Sequence, residues 1–213
     1  MATHPETVRG LLDRAGRTYA AEAGITLRDK PAPLYRLLVL SVLLSTRIKA
    51  DIAVAAAREL TDAGMGTAKG MLDASWQDRV DALGRAHYKR YDESTATALG
   101  DGARLLLDRY SGDLRKLRAR ADGDAAQVHQ LLKEFPRLGP VGAKIFVREA
   151  QAVWPELRPA LDGKALDGAR RVGLPADPDR LAELGTQDRL AELAAALVRV
   201  SLDEELAAAI NGR

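Results

Sequence analysis

The sequence predicts an all-α fold. Apolar residues recur at i, i+3 and i+4 along nearly the whole chain, period-two runs rich in Val, Ile, Thr or aromatics are missing, and Gly, Pro or capping residues punctuate the periodic stretches at helix-length intervals. At 213 residues, with 46% apolar and 29% charged side chains, the chain can bury a core and does not have the composition of a disordered one. Aromatics make up only 4%, so Leu, Ala and Val must do most of the packing.

In order, a first helix is expected over residues 7–22, stopped by Gly24 at a natural C-terminal position. After Pro31 and Pro33, residues 34–44 are apolar on nearly all sides, as the central helix of a bundle would be. An Ala-rich helix over 50–60 ends near Gly64. Ser75 with Asp78 reads as a capping pair for a helix over 76–83. Residues 94–110 carry Leu99, Ala103, Leu106 and Tyr110 on one face and stop at Gly112, and Asp124 caps a helix over 125–135. Further helices are expected over 142–153, 166–172, 179–184 and 187–200, with Ser201 and Glu204 capping one last turn.

Composition excludes several classes of chemistry. The chain has no cysteine, so a disulfide framework, a Cys-ligated zinc or iron–sulfur site and a thiol nucleophile are out. No GxxxxGK[ST] or GxGxxG loop is present, and no nucleotide cofactor is expected. His4, His87 and His129 are scattered, with no metal-ligand spacing, so no metal is expected. The start MATHPETVRG lacks a signal-peptide pattern, and the longest apolar run, residues 37–44, is far too short to span a bilayer. The expectation is a soluble, cytoplasmic protein with no membrane partner. Net charge is +2, but residues 85–120 hold nine Lys/Arg against five Asp/Glu, and residues 176–213 hold four against eight. A basic mid-region with an acidic tail suits a polyanion-binding face, but on composition alone ordinary charge on solvated helix faces is the better reading.

The informative segment is Phe135-Pro136-Arg137-Leu138-Gly139-Pro140-Val141-Gly142-Ala143. Two glycines and two prolines in so short a stretch interrupt a helix, yet amphipathic sequence flanks them closely, which predicts a helix–hairpin–helix over residues 125–153. Free amides at the start of the second helix, together with its dipole, form an anion site, and glycine allows a phosphate to approach. The plainer alternative is a structural turn between core helices.

This segment resembles the helix-hairpin-helix signature of the endonuclease III-like (HhH-GPD) DNA glycosylase superfamily. Residues 33–47, ending Leu43-Leu44-Ser45-Thr46-Arg47, resemble that family's early buried helix and its Leu-Leu-Ser-Ala-Gln exit. Tyr88-Lys89-Arg90-Tyr91 followed by residues 94–114 resembles its aromatic turn and helix, and residues 154–162 resemble the loop that delivers an essential Asp. The resemblance covers residues 33–175 in the family's order. It departs at Arg137, where the family has glycine, at Arg47, where it has a DNA-probing Gln, and in lacking the four-cysteine motif.

The resemblance implies a two-lobed fold, with residues 34–133 as one helical lobe and residues 1–33 plus 134–213 as the second. It implies a DNA N-glycosylase of base excision repair acting on double-stranded DNA; with no cysteine in the chain no iron–sulfur cluster is expected, nor any other cofactor. A DNA-binding relative without catalysis and an all-α interaction protein are the competing readings. Asp162 is the expected catalytic carboxylate, stabilising the cationic sugar or activating water, and also suits a helix cap. Two registers of the hairpin differ on the nucleophile. Aligning Pro136 and Gly139 puts Val141 at the lysine position of strand-cleaving members. Aligning Gly142-Ala143-Lys144 makes Lys144 that lysine, eighteen residues before Asp162. The first register, and with it water-mediated hydrolysis, is preferred. Arg47, Arg137, Gly139, Pro140, Gly142 and Arg148 are the expected DNA contacts, with Arg137, Lys144 and Arg148 on one exposed face. Glu149 is expected to pair with a nearby cation or to enter a pocket. Tyr88 and Trp154 are expected in the core or stacked on a base, and Asp167 at the surface.

Overall fold

The computed structural model describes residues 3–185 and 187–212, and within these the chain is helical throughout, with no strand. The helices are α1 (His4–Ala15), α2 (Tyr19–Glu22), α3 (Pro31–Leu44), α4 (Ala50–Leu60), α5 (Ala68–Asp73), α6 (Trp76–Arg85), α7 (Asp92–Tyr110), α8 (Leu114–Arg120), α9 (Ala125–Leu132), α10 (Gly139–Ala150), α11 (Gly163–Arg171), α12 (Pro178–Leu184), α13 (Leu190–Leu202) and α14 (Glu204–Ile210). A π-helical turn follows α4 at Thr61–Met65, and short 3₁₀ turns lie at Pro155–Leu157 and Gln187–Arg189. No helix among the described residues is long and apolar enough to cross a membrane.

Two compact units divide the chain: Met1–Tyr19 with Val147–Arg213, and Ala20–Phe146. In the Ala20–Phe146 unit, α3 is buried on nearly every side, with Leu34, Leu37, Leu40 and Leu43 wholly enclosed. It packs on α4, while α7 packs on α5 and α6. Burial pushes the Tyr35 hydroxyl pKa up, so it stays a neutral phenol inside this core. The turn after α9 belongs to the same unit because Phe135 and Pro136 wall a small cleft with Tyr35, Leu38, Leu99 and Ala103 of α3 and α7. The boundary therefore falls after Phe146, within α10, rather than at the expected residue 133, and residues 20–33 lie in the unit that contains α3.

Several expected helices differ in extent. The first breaks at Gly16, where a Cβ would lie 2.5 Å from the Leu12 carbonyl oxygen, and α2 restarts with the buried Glu149 carboxylate accepting from the Tyr19 amide at 3.1 Å. The short helices α5 and α8 were not expected. Thr67 caps the start of α5, and at its other end the Arg79 guanidinium donates to Met71 O and Ala74 O at 2.8 and 3.0 Å. Gly100 on α7 makes room for that guanidinium, since a Cβ there would sit 3.0 Å from Arg79 Nη2. The last helix is capped by Asp203 rather than Ser201, whose hydroxyl donates back to Val198 O.

The other unit is built around α13. Leu193, Ala194, Ala196 and Leu197 are buried against Val8, Leu11 and Ala15 of α1 and Ala165 and Ala169 of α11. Helices α11 and α13 cross at Gly168, where a Cβ would fall 1.8 Å from Leu197 O. A backbone carbonyl inside a helix cannot step aside, so the two helices approach this closely only with glycine there. Gly168→Ala is expected to destabilise by about 2–3 kcal/mol, lowering the unfolding temperature by roughly 5–10 °C. Gly84→Ala in α6, where a Cβ meets nothing, is expected to raise it slightly through helix propensity. Thermal unfolding by circular dichroism measures both.

Candidate nucleic-acid interface

The hairpin runs from α9 to α10. Asp124 caps α9 through its carboxylate, accepting from the Ala126 and Gln127 amides. Phe135 then turns into the core, 2% exposed and stacked on Tyr110 with ring centroids 6.5 Å apart, and Leu138 is buried beside it. Reversing the chain here takes two left-handed residues, Arg137 (φ 60°) and Gly139 (φ 55°). Glycine adopts that region freely, whereas a residue with a Cβ is strained there by about 1–2 kcal/mol. Arg137 is held in place by its neighbours. Its carbonyl accepts from Ser45 Oγ at 3.2 Å, its Nη1 donates to Ser94 Oγ at 2.7 Å, and its guanidinium lies 5.7 Å from the Tyr91 ring centroid.

Helix α10 starts at Gly139, three residues earlier than expected. Pro140 fits because a first-turn residue needs no donor. The first-turn amides of Gly139 and Val141 have no intrahelical acceptor. Gly142 permits close packing: a Cβ there would lie 2.8 Å from Leu138 Cδ1 and 3.3 Å from Ser41 O, so its role is structural. Pro140, Val141 and Lys144 are exposed, Val141 at 58%. Arg148, one turn beyond Lys144, is 6% exposed, which corrects the expectation that it shares their solvent face.

Where α3 ends, Ser45, Thr46 and Arg47 border a pocket of about 440 Å³ whose remaining walls are Tyr91 and Arg137. The Ser45 hydroxyl points to Val42 O and Arg137 O, and Thr46 Oγ1 to Leu43 O. Tyr88 is fully buried, with its hydroxyl 2.8 Å from Thr46 Oγ1, so it braces the turn and is not available to a base. Arg90 also lies over Tyr91, 5.3 Å from the ring centroid. Tyr91 was not singled out from sequence, although the Tyr-Lys-Arg-Tyr run, with its cation–aromatic alternation, was the available signal. Part of the basic excess over 85–120 is offset by carboxylates outside that span, since Arg85 pairs with Glu59, Arg109 with Glu134 and Arg118 with Asp29, while Arg115 pairs with Asp113 inside it. Hydrogen bonding from the Arg115 guanidinium holds the Asp113 carboxyl below the usual carboxylate range.

In the other unit, Asp162 caps α11. One carboxylate oxygen accepts from the Lys164 and Ala165 amides at 3.1 and 3.2 Å, and the other accepts from Arg148 Nη2 at 3.0 Å. The two side chains are 16% and 7% exposed, so this is a largely desolvated ion pair. Gln151, wholly buried, ties down the loop that delivers Asp162. Its amide nitrogen donates to Arg148 O and Ala160 O, and its oxygen accepts from the Ala160 amide. Arg158 Nε donates to Gln151 O at 2.8 Å. Arg148 and Gln151 were legible as polar residues in an apolar helix, but their roles were not. Glu149 turns to the Tyr19 amide, Trp154 is fully buried, and Asp167 pairs with Arg170 at the surface. Among the described residues no group of His and carboxylate side chains is arranged to hold a metal.

No protein-family model matches the sequence, and comparison with curated proteins returns no match. Solved structures do. A non-covalent endonuclease III–DNA complex aligns with a TM-score of 0.53 at 14% identity. A trapped endonuclease III–DNA covalent intermediate, the estranged-adenine complex, aligns with a TM-score of 0.50 at 16% identity. Each alignment covers 93% of this chain and 85% of the other. At such identities the likeness is one of fold: this chain has the all-α fold of endonuclease III.

Proposed function

We propose that the chain is a monofunctional DNA N-glycosylase of base excision repair, acting on double-stranded DNA. The observation that carries this reading is the Asp162 carboxylate, fixed at a helix N-terminus by two amides and a buried guanidinium, in a chain with the endonuclease III fold. Breaking the C1′–N bond sends its electron pair to the base and leaves positive charge on the sugar. A rigid carboxylate offsets that charge without reorganising, and water adds to C1′, its hydroxyl joining the sugar and its proton ending on the released base. Val141, at the preferred lysine position, has no amine, so no Schiff base forms and the strand stays intact until alkali. Arg137, Gly139, Pro140 and Lys144 would meet the DNA backbone. The iron–sulfur cluster that the fold family implies does not fit, since these 213 residues offer no cysteine, and no step uses it.

One observation favours a second reading, DNA binding without base release. The Arg148 guanidinium at 3.0 Å from Asp162 opposes the field that the carboxylate would exert on a cationic sugar. A panel of damaged-base duplexes, assayed with and without alkaline workup, separates the two readings, because release from no lesion supports the second.

On the first reading, Asp162→Asn is expected to lower base release by on the order of 10²-fold while duplex affinity is kept. Lys144→Ala is expected to weaken binding modestly and leave the chemistry alone. Borohydride is expected to trap no adduct, and a trapped adduct that vanishes with Lys144→Ala would move the nucleophile to Lys144. Duplex affinity is expected to fall steeply between low and moderate salt as phosphate neutralisation releases counterions, which fluorescence anisotropy measures directly.

A further inference from the structure

The guanidinium beside Asp162 is expensive to bury and little used as a donor. Arg148 is 6% exposed, and a cation taken out of water needs compensation from what it meets. Among the described residues its hydrogen-bond partner is Asp162, reached through Nη2 alone, while Nε is enclosed with no acceptor. Most donors of the guanidinium fork are thus uncommitted. Helix capping does not account for it. The Lys164 and Ala165 amides already hold one oxygen of Asp162, and among the described residues Asp124, Asp177 and Asp203 cap their helices with no guanidinium paired to them. The pair is also rigid, because Gln151 Nε2 donates to Arg148 O at 2.8 Å and to Ala160 O at 3.1 Å, fixing the backbone at Arg148 and just before Asp162. All of these groups lie in the unit that contains Val147–Arg213. A fixed carboxylate–guanidinium pair is a dipole with little net charge. It gains little from an uncharged nucleoside, and its two ends oppose each other beside a sugar cation alone. Breaking the C1′–N bond to a neutral base creates a second dipole, positive on the sugar and negative on the base. A preorganised dipole laid antiparallel to that one stabilises it only as the charges separate, which is the condition for accelerating the step, and low solvent access strengthens the effect.

We propose that Arg148 is a second catalytic residue, donating an N–H to the departing base and offsetting the negative charge that builds there while Asp162 serves the sugar. The C1′–N electron pair stays on the base and spreads to an acceptor atom next to the glycosidic nitrogen, the O2 of a pyrimidine or the N3 of a purine. Water supplies the hydroxyl to C1′ and the proton to the base, and Arg148 transfers no proton. The substrate class is then a neutral base that leaves as an anion. A base already cationic through N-alkylation leaves uncharged and meets the guanidinium with like charge. The inference rests on the glycosylase reading and names the substrate class of that site.

Single-turnover base release by the full chain tests it, with duplexes carrying deoxyuridine, 5-fluorodeoxyuridine or N7-methyldeoxyguanosine. Fluorine stabilises the departing uracil anion, so that base needs less help, and 7-methylguanine leaves with no negative charge. Arg148→Gln keeps an N–H donor for Asp162 and removes the positive charge. It is expected to slow uracil release by on the order of 10²-fold and 5-fluorouracil release by roughly tenfold, with 7-methylguanine release not slowed. A purely structural role would slow all three alike, so equal losses overturn the proposal, as does undiminished uracil release. Should Arg148→Gln fail to fold, the unmodified chain decides. Its acceleration over the uncatalysed reaction is expected to be larger for uracil than for 7-methylguanine, and the reverse order overturns the proposal. Release of none of the three bases also overturns it, and the damaged-base panel then tells whether the glycosylase reading falls with it. Release with equal losses defeats this inference alone.

Discussion

The organisation of the candidate interface follows from one constraint, the reversal of the chain in the few residues between α9 and α10. Phe135 and Leu138 must both point into the core, and the backbone reaches that arrangement only by turning left-handed at 137 and again at 139. With glycine at 139 the second turn is unstrained. With arginine at 137 the first is not, and the strain is offset by a hydrogen bond from Ser45, another to Ser94 and a guanidinium resting on Tyr91. The same contacts that hold the turn also bring the end of α3 and the start of α7 around a basic, aromatic-floored pocket. Hairpin geometry and pocket chemistry are therefore one feature here, joined through a single side chain.

The environment of Asp162 obeys a different logic. Its loop is held by a buried amide side chain that satisfies three backbone groups, so the backbone position of Ala160 is set before Asp162 is reached. The carboxylate then divides its two oxygens between the α11 amides and Arg148. Removing either partner would leave a charge of low solvent access uncompensated, which is costlier than the worth of the pair itself. The arrangement fixes the orientation of the carboxylate and sets a positive charge directly beside it.

By itself the sequence determined the helical class, because the 3.6-residue period and the Ser, Asp and Gly punctuation are local signals. Ser75 with Asp78, Asp124 and Asp162 cap where a short polar side chain before an apolar run must. The hairpin was legible for the same reason, since its glycines and prolines act on their own backbone. Tertiary structure decided the rest. The short helix α5 depends on carbonyl groups met by Arg79, from α6, and the restart at Tyr19 depends on Glu149, a distance of 130 residues along the chain. Arg148 sits only four residues beyond Lys144, and periodicity alone put both on one exposed face. Which of them is buried was settled by the carboxylate at 162, since a guanidinium that leaves water needs a counter-charge or, as at Arg79, carbonyl acceptors to offset its lost hydration. Tyr91 likewise acquired its surroundings from α3 and the hairpin, which lie far from it in sequence.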